Sequence, residues 1–128
     1  MIKGIDHVAL MTCDAERAAR FFIDVLGFRE SGRLGTPASP HGVTILVSLG
    51  GAQIELFGYG DAGAAQGEER SPGYKHLALL VEDIDAEYER LQAAGVEFTM
   101  APTDAGAGLR VAFFQDPDGN SLELMQRS

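Results

Sequence analysis

Asp6-His7-Val8-Ala9-Leu10-Met11 near the start of the chain and Lys75-His76-Leu77-Ala78-Leu79-Leu80 beyond its middle share one pattern, a histidine opening a short apolar run. The two histidines are 69 positions apart, and Asp14 and Asp83 keep the same offset. A second likeness pairs Gly51-Ala52-Gln53-Ile54-Glu55-Leu56-Phe57 with Gly119-Asn120-Ser121-Leu122-Glu123-Leu124-Met125 at an offset of 68. That same offset aligns Val43 to Leu46 with Val111 to Phe114. Each half therefore opens on a His-bearing segment and closes on a Glu-bearing one. Two copies of so long a period read as two paired modules in one domain, not as a solenoid. The modules span about 4–58 and 74–127 of a single domain over 1–128, and the Gly-, Ala- and charge-rich stretch 58–73 joins them.

Periodicity supplies the elements. Residues 5–12 are short and apolar and run into Asp14, a strand followed by a helix cap. Ala15, Ala18, Ala19, Phe22 and Val25 then recur at helical spacing until Gly27 ends the helix. The second half repeats this with a strand near 75–81, a cap at Asp83, an apolar stripe of Ile84, Tyr88, Leu91 and Ala94, and a stop at Gly95. Three more strands follow in each half, near 28–33, 42–49 and 52–58, then near 96–100, 109–115 and 120–126. Gly50-Gly51 and Asp116-Pro117-Asp118-Gly119 supply hairpin turns. The expected class is α+β, with the order βαβββ twice.

Alternation along a strand divides the side chains between two faces. Glu55 shares a face with Gln53 and Phe57, opposite Ile54 and Leu56. Glu123 shares one with Ser121 and Met125, opposite Leu122 and Leu124. His7 lies with Ala9 and Met11, and His76 with Ala78 and Leu80. The aliphatic faces, including Val8 and Leu10, suit packing against the helices, which leaves His and Glu on the other face. Any one of these histidines alone is more simply a solvated or hydrogen-bonded imidazole. Two carboxylates wedged between large apolar neighbours are harder to explain, because a buried carboxylate is costly unless paired or metal-bound. Imidazole plus carboxylate is a common divalent-metal shell, so His7, Glu55, His76 and Glu123 form the candidate metal set. The competing arrangement is a metal-free His–Glu hydrogen-bond network.

Composition narrows the function classes. The chain has 128 residues, enough for one domain, with 45% apolar and 23% charged residues, as in ordinary globular proteins. A formal net charge of −9 repels phosphate backbones and anionic membranes, which argues against nucleic acid and membrane as partners. No run approaches the length of a bilayer span. The Met1-Ile2-Lys3-Gly4 start reads without a secretory signal. One cysteine, Cys13, precludes an internal disulfide and fits a cytoplasmic setting.

Five stretches together resemble the vicinal oxygen chelate superfamily, also called the glyoxalase/bleomycin resistance/dioxygenase superfamily. They are Asp6 to Leu10, Phe21 to Phe28, Gln53 to Leu56, His76 to Leu79 and Phe114 to Leu124, and they span nearly the whole chain. The resemblance implies two βαβββ modules forming a cup-shaped mixed sheet with a divalent metal at its centre. A His–Glu–His–Glu set is similar to that of bacterial glyoxalase I, a lactoylglutathione lyase. Methylmalonyl-CoA epimerase-like and extradiol dioxygenase-like activities, or an antibiotic-binding resistance protein, are the alternatives. The likeness implies Glu123 as the proton-transferring base, with Glu55 second. It also implies Ni, Co, Zn or Mn as the ion (Fe for a dioxygenase), a small-molecule substrate and a homodimer. Two positions depart from glyoxalase I. No cation follows the first ligand in Val8-Ala9-Leu10-Met11, and Gly58-Tyr59 stands where an Asn is usual, which leaves the thiol cofactor open.

Overall fold

Asp14 and Asp83 do in the structure what their positions predict. Each sits in extended backbone and accepts a hydrogen bond on its side chain, from the N–H of Arg17 and of Ala86 respectively, so each starts a helix. The computed structural model describes residues 1–40, 42–58 and 70–128. Most of the joining stretch, 59–69, and with it Tyr59, lies outside the described residues. The chain divides into two compact units, Met1–Ala64 and Ala65–Ser128.

In the first unit β1 (Val8–Met11), α1 (Ala15–Arg20), β2 (Arg29–Leu34), β3 (Thr44–Leu49) and β4 (Ala52–Phe57) follow in order. The strands form one sheet in the order β1-β4-β3-β2, with β1 parallel to β4 and the other pairs antiparallel. The second unit repeats it with β5 (Leu77–Leu80), α2 (Ile84–Ala93), β6 (Phe98–Gly106), β7 (Leu109–Gln115) and β8 (Ser121–Arg127), in the order β5-β8-β7-β6. The class is α+β, two four-stranded mixed sheets with few helices, as expected. No helix of the described residues is long and apolar enough to cross a membrane.

One face of each sheet packs on its own helix. Ile45, Val47, Ile54 and Leu56 are buried with Ala18, Ala19 and Phe22 in the first unit. Ala112, Phe114, Leu122 and Leu124 are buried with Ile84 and Leu91 in the second. Non-directional burial of these aliphatic faces is the main stabilising term, and it settles which face is left for polar side chains. Arginines tie the helices to the sheets. Arg33 of β2 pairs with Glu16 of α1, and Arg110 of β7 pairs with Asp85 of α2. Both acids stand two residues after the capping Asp.

Four details differ from expectation. α1 is α-helical only to Arg20 and continues as a π-helical turn over Phe21–Val25, closed by the Leu26 N–H on the Phe21 carbonyl. That turn seats Phe22 edge-on against Phe28 at 5.2 Å. β6 runs through to Gly106, held by pairing with β7. Val8 remains 42% exposed, because β1 is an edge strand that begins at Val8. Finally, β3 and β7 are related by 67 positions and not 68. Leu46 faces Glu55 and Phe113 faces Glu123, while the turns hold two residues after Leu49 and five after Gln115. A one-residue slip exchanges the faces of a strand, so the partner of Leu46 is Phe113 and that of Val47 is Phe114.

Candidate metal centre

Parallel pairing sets the geometry. Ala9 lies opposite Glu55 on the neighbouring strand, and Ala78 lies opposite Glu123. Each histidine stands two residues before that alanine and so shares the glutamate's face. Alanine is small, which leaves room for the imidazole to reach the carboxylate over it. In the first unit His7 Nε2 is 3.3 Å from Glu55 Oε2. In the second, His76 Nε2 is 2.8 Å from Glu123 Oε2. The structure thus brings together His7 with Glu55 and His76 with Glu123, using the same atoms in both.

The two pairs have different surroundings. The Glu55 side chain is 23% exposed and that of Glu123 only 6%. Leu46 flanks Glu55, whereas Phe113 flanks Glu123 and meets the His76 ring edge-on, with centroids 5.3 Å apart. His7 has a second carboxylate. Its Nδ1 is 2.8 Å from Asp6 Oδ2, so Nδ1–H donates to Asp6 and leaves Nε2 facing Glu55. That hydrogen bond, with the charges of Glu55 and Asp6, holds the His7 pKa above the usual histidine value against the opposing effect of burial. Lys75 occupies the corresponding place before His76 and reaches Ser71 Oγ at 3.4 Å.

The donor chemistry of each pair suits a borderline divalent cation: one imidazole nitrogen and one carboxylate oxygen converge, and an imidazole oriented through its other nitrogen is the usual support for a metal ligand. Among the described residues, no group of three or more His, Cys, Asp or Glu side chains is placed to hold a metal ion. Each unit by itself supplies two donors. Sequence reasoning picked out all four but gave no role to Asp6, which pairs with His7, or to Gln53 and Phe113, which share the faces of Glu55 and Glu123. Asp6 was visible as an acid beside a candidate ligand. Phe113 needed the correct turn length before it could be set opposite Glu123.

Gln53 belongs to the same face as Glu55. It lies opposite Ser48, and its Oε1 accepts a 2.9 Å hydrogen bond from Ser31 Oγ. The Asp-Pro-Asp-Gly segment is a built turn: the Asp116 carboxylate accepts from the N–H groups of Asp118 and Asn120 and from Asn120 Nδ2, at 3.0, 2.8 and 2.9 Å. Burial pushes the Asp116 carboxyl up, although those hydrogen bonds pull the other way.

The chain is similar to known proteins in sequence and in fold. The chain is 33% identical over 129 residues to the uncharacterized protein YwkD of Bacillus subtilis, covering 99% of each chain. It is also 33% identical over 129 residues to a lactoylglutathione lyase of Haemophilus influenzae, covering 94% of this chain and 90% of that one. Among solved structures it is similar to a glyoxalase family protein from Enterococcus faecalis, with a TM-score of 0.81 and 29% identity, covering 96% of this chain and 97% of that one. The sequence profile of the Glyoxalase/Bleomycin resistance protein/Dioxygenase superfamily matches residues 4–124, and with its duplicated βαβββ units and paired His and Glu the chain belongs to that superfamily.

Proposed function

We propose that the protein is a metal-dependent lyase or isomerase of the glyoxalase kind, moving a proton on a substrate chelated through two adjacent oxygens, such as a thiol adduct of a 2-oxoaldehyde. The observation that carries this reading is the duplicated approach of imidazole Nε2 to carboxylate Oε2, at 3.3 and 2.8 Å. In this reading His7, Glu55, His76 and Glu123 together hold one divalent ion, Ni, Co, Zn or Mn. Two donors would leave most of a four- to six-coordinate shell unfilled, which is why both pairs are assigned to one ion. When bound, the ion supplies Lewis acidity to the chelated oxygens.

The side chains then have distinct tasks. Glu123 takes the acidic C–H proton and returns it to the adjacent carbon. The Phe113 ring keeps His76 in place. Asp6 fixes the His7 tautomer that presents a lone pair at Nε2. The lyase relative from Haemophilus influenzae supports the reaction class. The protein acts as a cytoplasmic homodimer in this reading. Exposed Met11 and Leu80 on the edge strands β1 and β5 support a partner surface.

The test is metal content followed by isotope exchange. Protein loaded with Ni, Co or Zn should retain about one ion per site, and His7→Ala or His76→Ala should lose it, because a missing ligand opens the shell. Loaded protein should exchange the substrate C–H with solvent deuterium. Absence of metal uptake sinks the reading. Oxygen consumption with a catechol by Fe(II)-loaded protein, without deuterium exchange in the other forms, replaces it with a dioxygenase.

A further inference from the structure

We infer that Gln53 is a substrate-recognition residue, its side-chain amide nitrogen donating to an acceptor oxygen that the substrate carries beyond its chelating pair. The inference rests on the metal-chelate reading above and adds the chemical class of the substrate's remote end.

Gln53 is two residues before Glu55 on β4, so both side chains leave the same face, roughly 6.6 Å apart along the strand. The amide is oriented by a row that crosses three strands. Ser31 is the extra residue of a bulge between Glu30 and Gly32 on β2. A bulge re-aims a side chain, and here the Ser31 hydroxyl reaches over β3 to Gln53 Oε1 at 2.9 Å. Ser48 lies directly opposite Gln53 and is small enough to be passed over. With Oε1 occupied by Ser31, the amide nitrogen keeps two N–H donors that have no partner among the described residues. A fixed pair of neutral donors beside a His–Glu pair suits an acceptor such as a carboxamide, ester or ketone oxygen.

The second unit lacks this device. Its corresponding cross-strand pair is Gln115 opposite Ser121, in reversed order and without a bond between the side chains. The surrounding residues of that face, Met100, Phe113 and Met125, are apolar. On β2 Arg29 lies opposite Ser48, so a cation shares the face of Gln53 one strand beyond Ser48. The preferred substrate therefore carries an acceptor oxygen at that end.

Calorimetric titration of Zn-loaded protein tests this with two probes. Acetohydroxamate is a bare vicinal-oxygen chelator, and the hydroxamate of succinamic acid adds a carboxamide tail. The tailed probe should bind the unaltered protein roughly 3- to 10-fold tighter, the worth of one neutral hydrogen bond. Gln53→Leu should bring the two probes to within about two-fold of each other while leaving acetohydroxamate affinity and zinc content unchanged, and Ser31→Ala should lose part of the advantage. No advantage for the tail, or one that survives Gln53→Leu, overturns the assignment and leaves the metal reading intact. Failure of acetohydroxamate to bind the zinc-loaded protein overturns the metal reading, and this inference with it.

Discussion

His76 is held on two sides: Phe113 meets its ring edge-on at 5.3 Å, and Glu123 faces its Nε2 at 2.8 Å. Among the described residues His7 has no aromatic neighbour of this kind, and it is oriented instead by Asp6. Related half-sites thus hold the same imidazole by different means, one by packing and one by charge.

Phe113→Ala is expected to weaken metal affinity by a few-fold to about ten-fold, the worth of an edge-to-face aromatic pair. Phe113 is half-buried on the open face, so the fold should survive. Circular dichroism with competitive chelator titration checks both points. An unchanged affinity would mean that the ring contact does not position the ligand.

Removing the Asp6 carboxylate should move the His7 titration. Its hydrogen bond favours the imidazolium, so Asp6→Asn is expected to lower the His7 pKa toward the ordinary histidine value. The interaction is fully present below that ordinary value and is lost as pH rises through the raised one. Ring-nitrogen NMR of the metal-free protein follows His7 directly. In the metal-loaded protein the same proton competes with the ion, so affinity should fall as pH drops through this range.

Glu123→Gln should abolish most turnover, since a positioned base contributes about 10² to 10⁴ in rate. Glu55→Gln should cost less if Glu123 is the base. Steady-state kinetics at matched metal content separates the two, and a larger loss for Glu55→Gln would reverse the assignment.

Gly58→Ala is expected to destabilise the first unit by on the order of 2 kcal/mol or more, measured by urea unfolding. Gly58 has a φ of +153°, and an added Cβ would lie 2.2 Å from the Thr12 carbonyl oxygen. Backbone cannot yield as a side chain can. The corresponding residue of the second unit is Gln126, whose side chain accepts from the Ile84 N–H at 2.8 Å to cap α2. The first unit closes this corner by backbone contact and the second by a side chain.

Asp116 should give a measurable pH signature. Its carboxyl is pushed up by burial, so the stability it contributes is fully present below the ordinary aspartate value and lost as pH rises through the raised one. Urea unfolding of Asp116→Asn and unaltered protein from about pH 3.5 to 6 isolates this term, because other carboxylates cancel in the difference. The unaltered protein should lose stability relative to the variant as pH rises. A difference that does not vary with pH would show the carboxyl to be unperturbed.

The halves announce themselves in the sequence where a polar residue interrupts an apolar run. His7, His76, Glu55 and Glu123 are conspicuous for that reason, and Asp14 and Asp83 mark both helix starts. Where apolar residues are continuous, alternation is hidden. Ile45-Leu46-Val47 and Val111-Ala112-Phe113-Phe114 can be aligned at either of two offsets, and only hydrogen-bond register chooses between them. The π-helical turn at Phe21–Val25 leaves the apolar spacing nearly unchanged, so periodicity does not reveal it. The Ser31–Gln53 contact depends on a bulge and on a reach across two strand spacings, neither of which local sequence encodes.

The parallel pairing of β1 with β4 and of β5 with β8 also bears on the order of assembly. Hairpins such as β3–β4 close over a few residues, whereas Val8 must find Ile54 and Leu77 must find Leu122 across most of a unit. Longer closures cost more chain entropy and form more slowly. Each histidine reaches its glutamate only through that last pairing. The His–Glu pairs are therefore expected to form late in folding and to open early in unfolding, so that on the proposed metal-binding function a nascent chain would acquire metal affinity only once its sheets are finished.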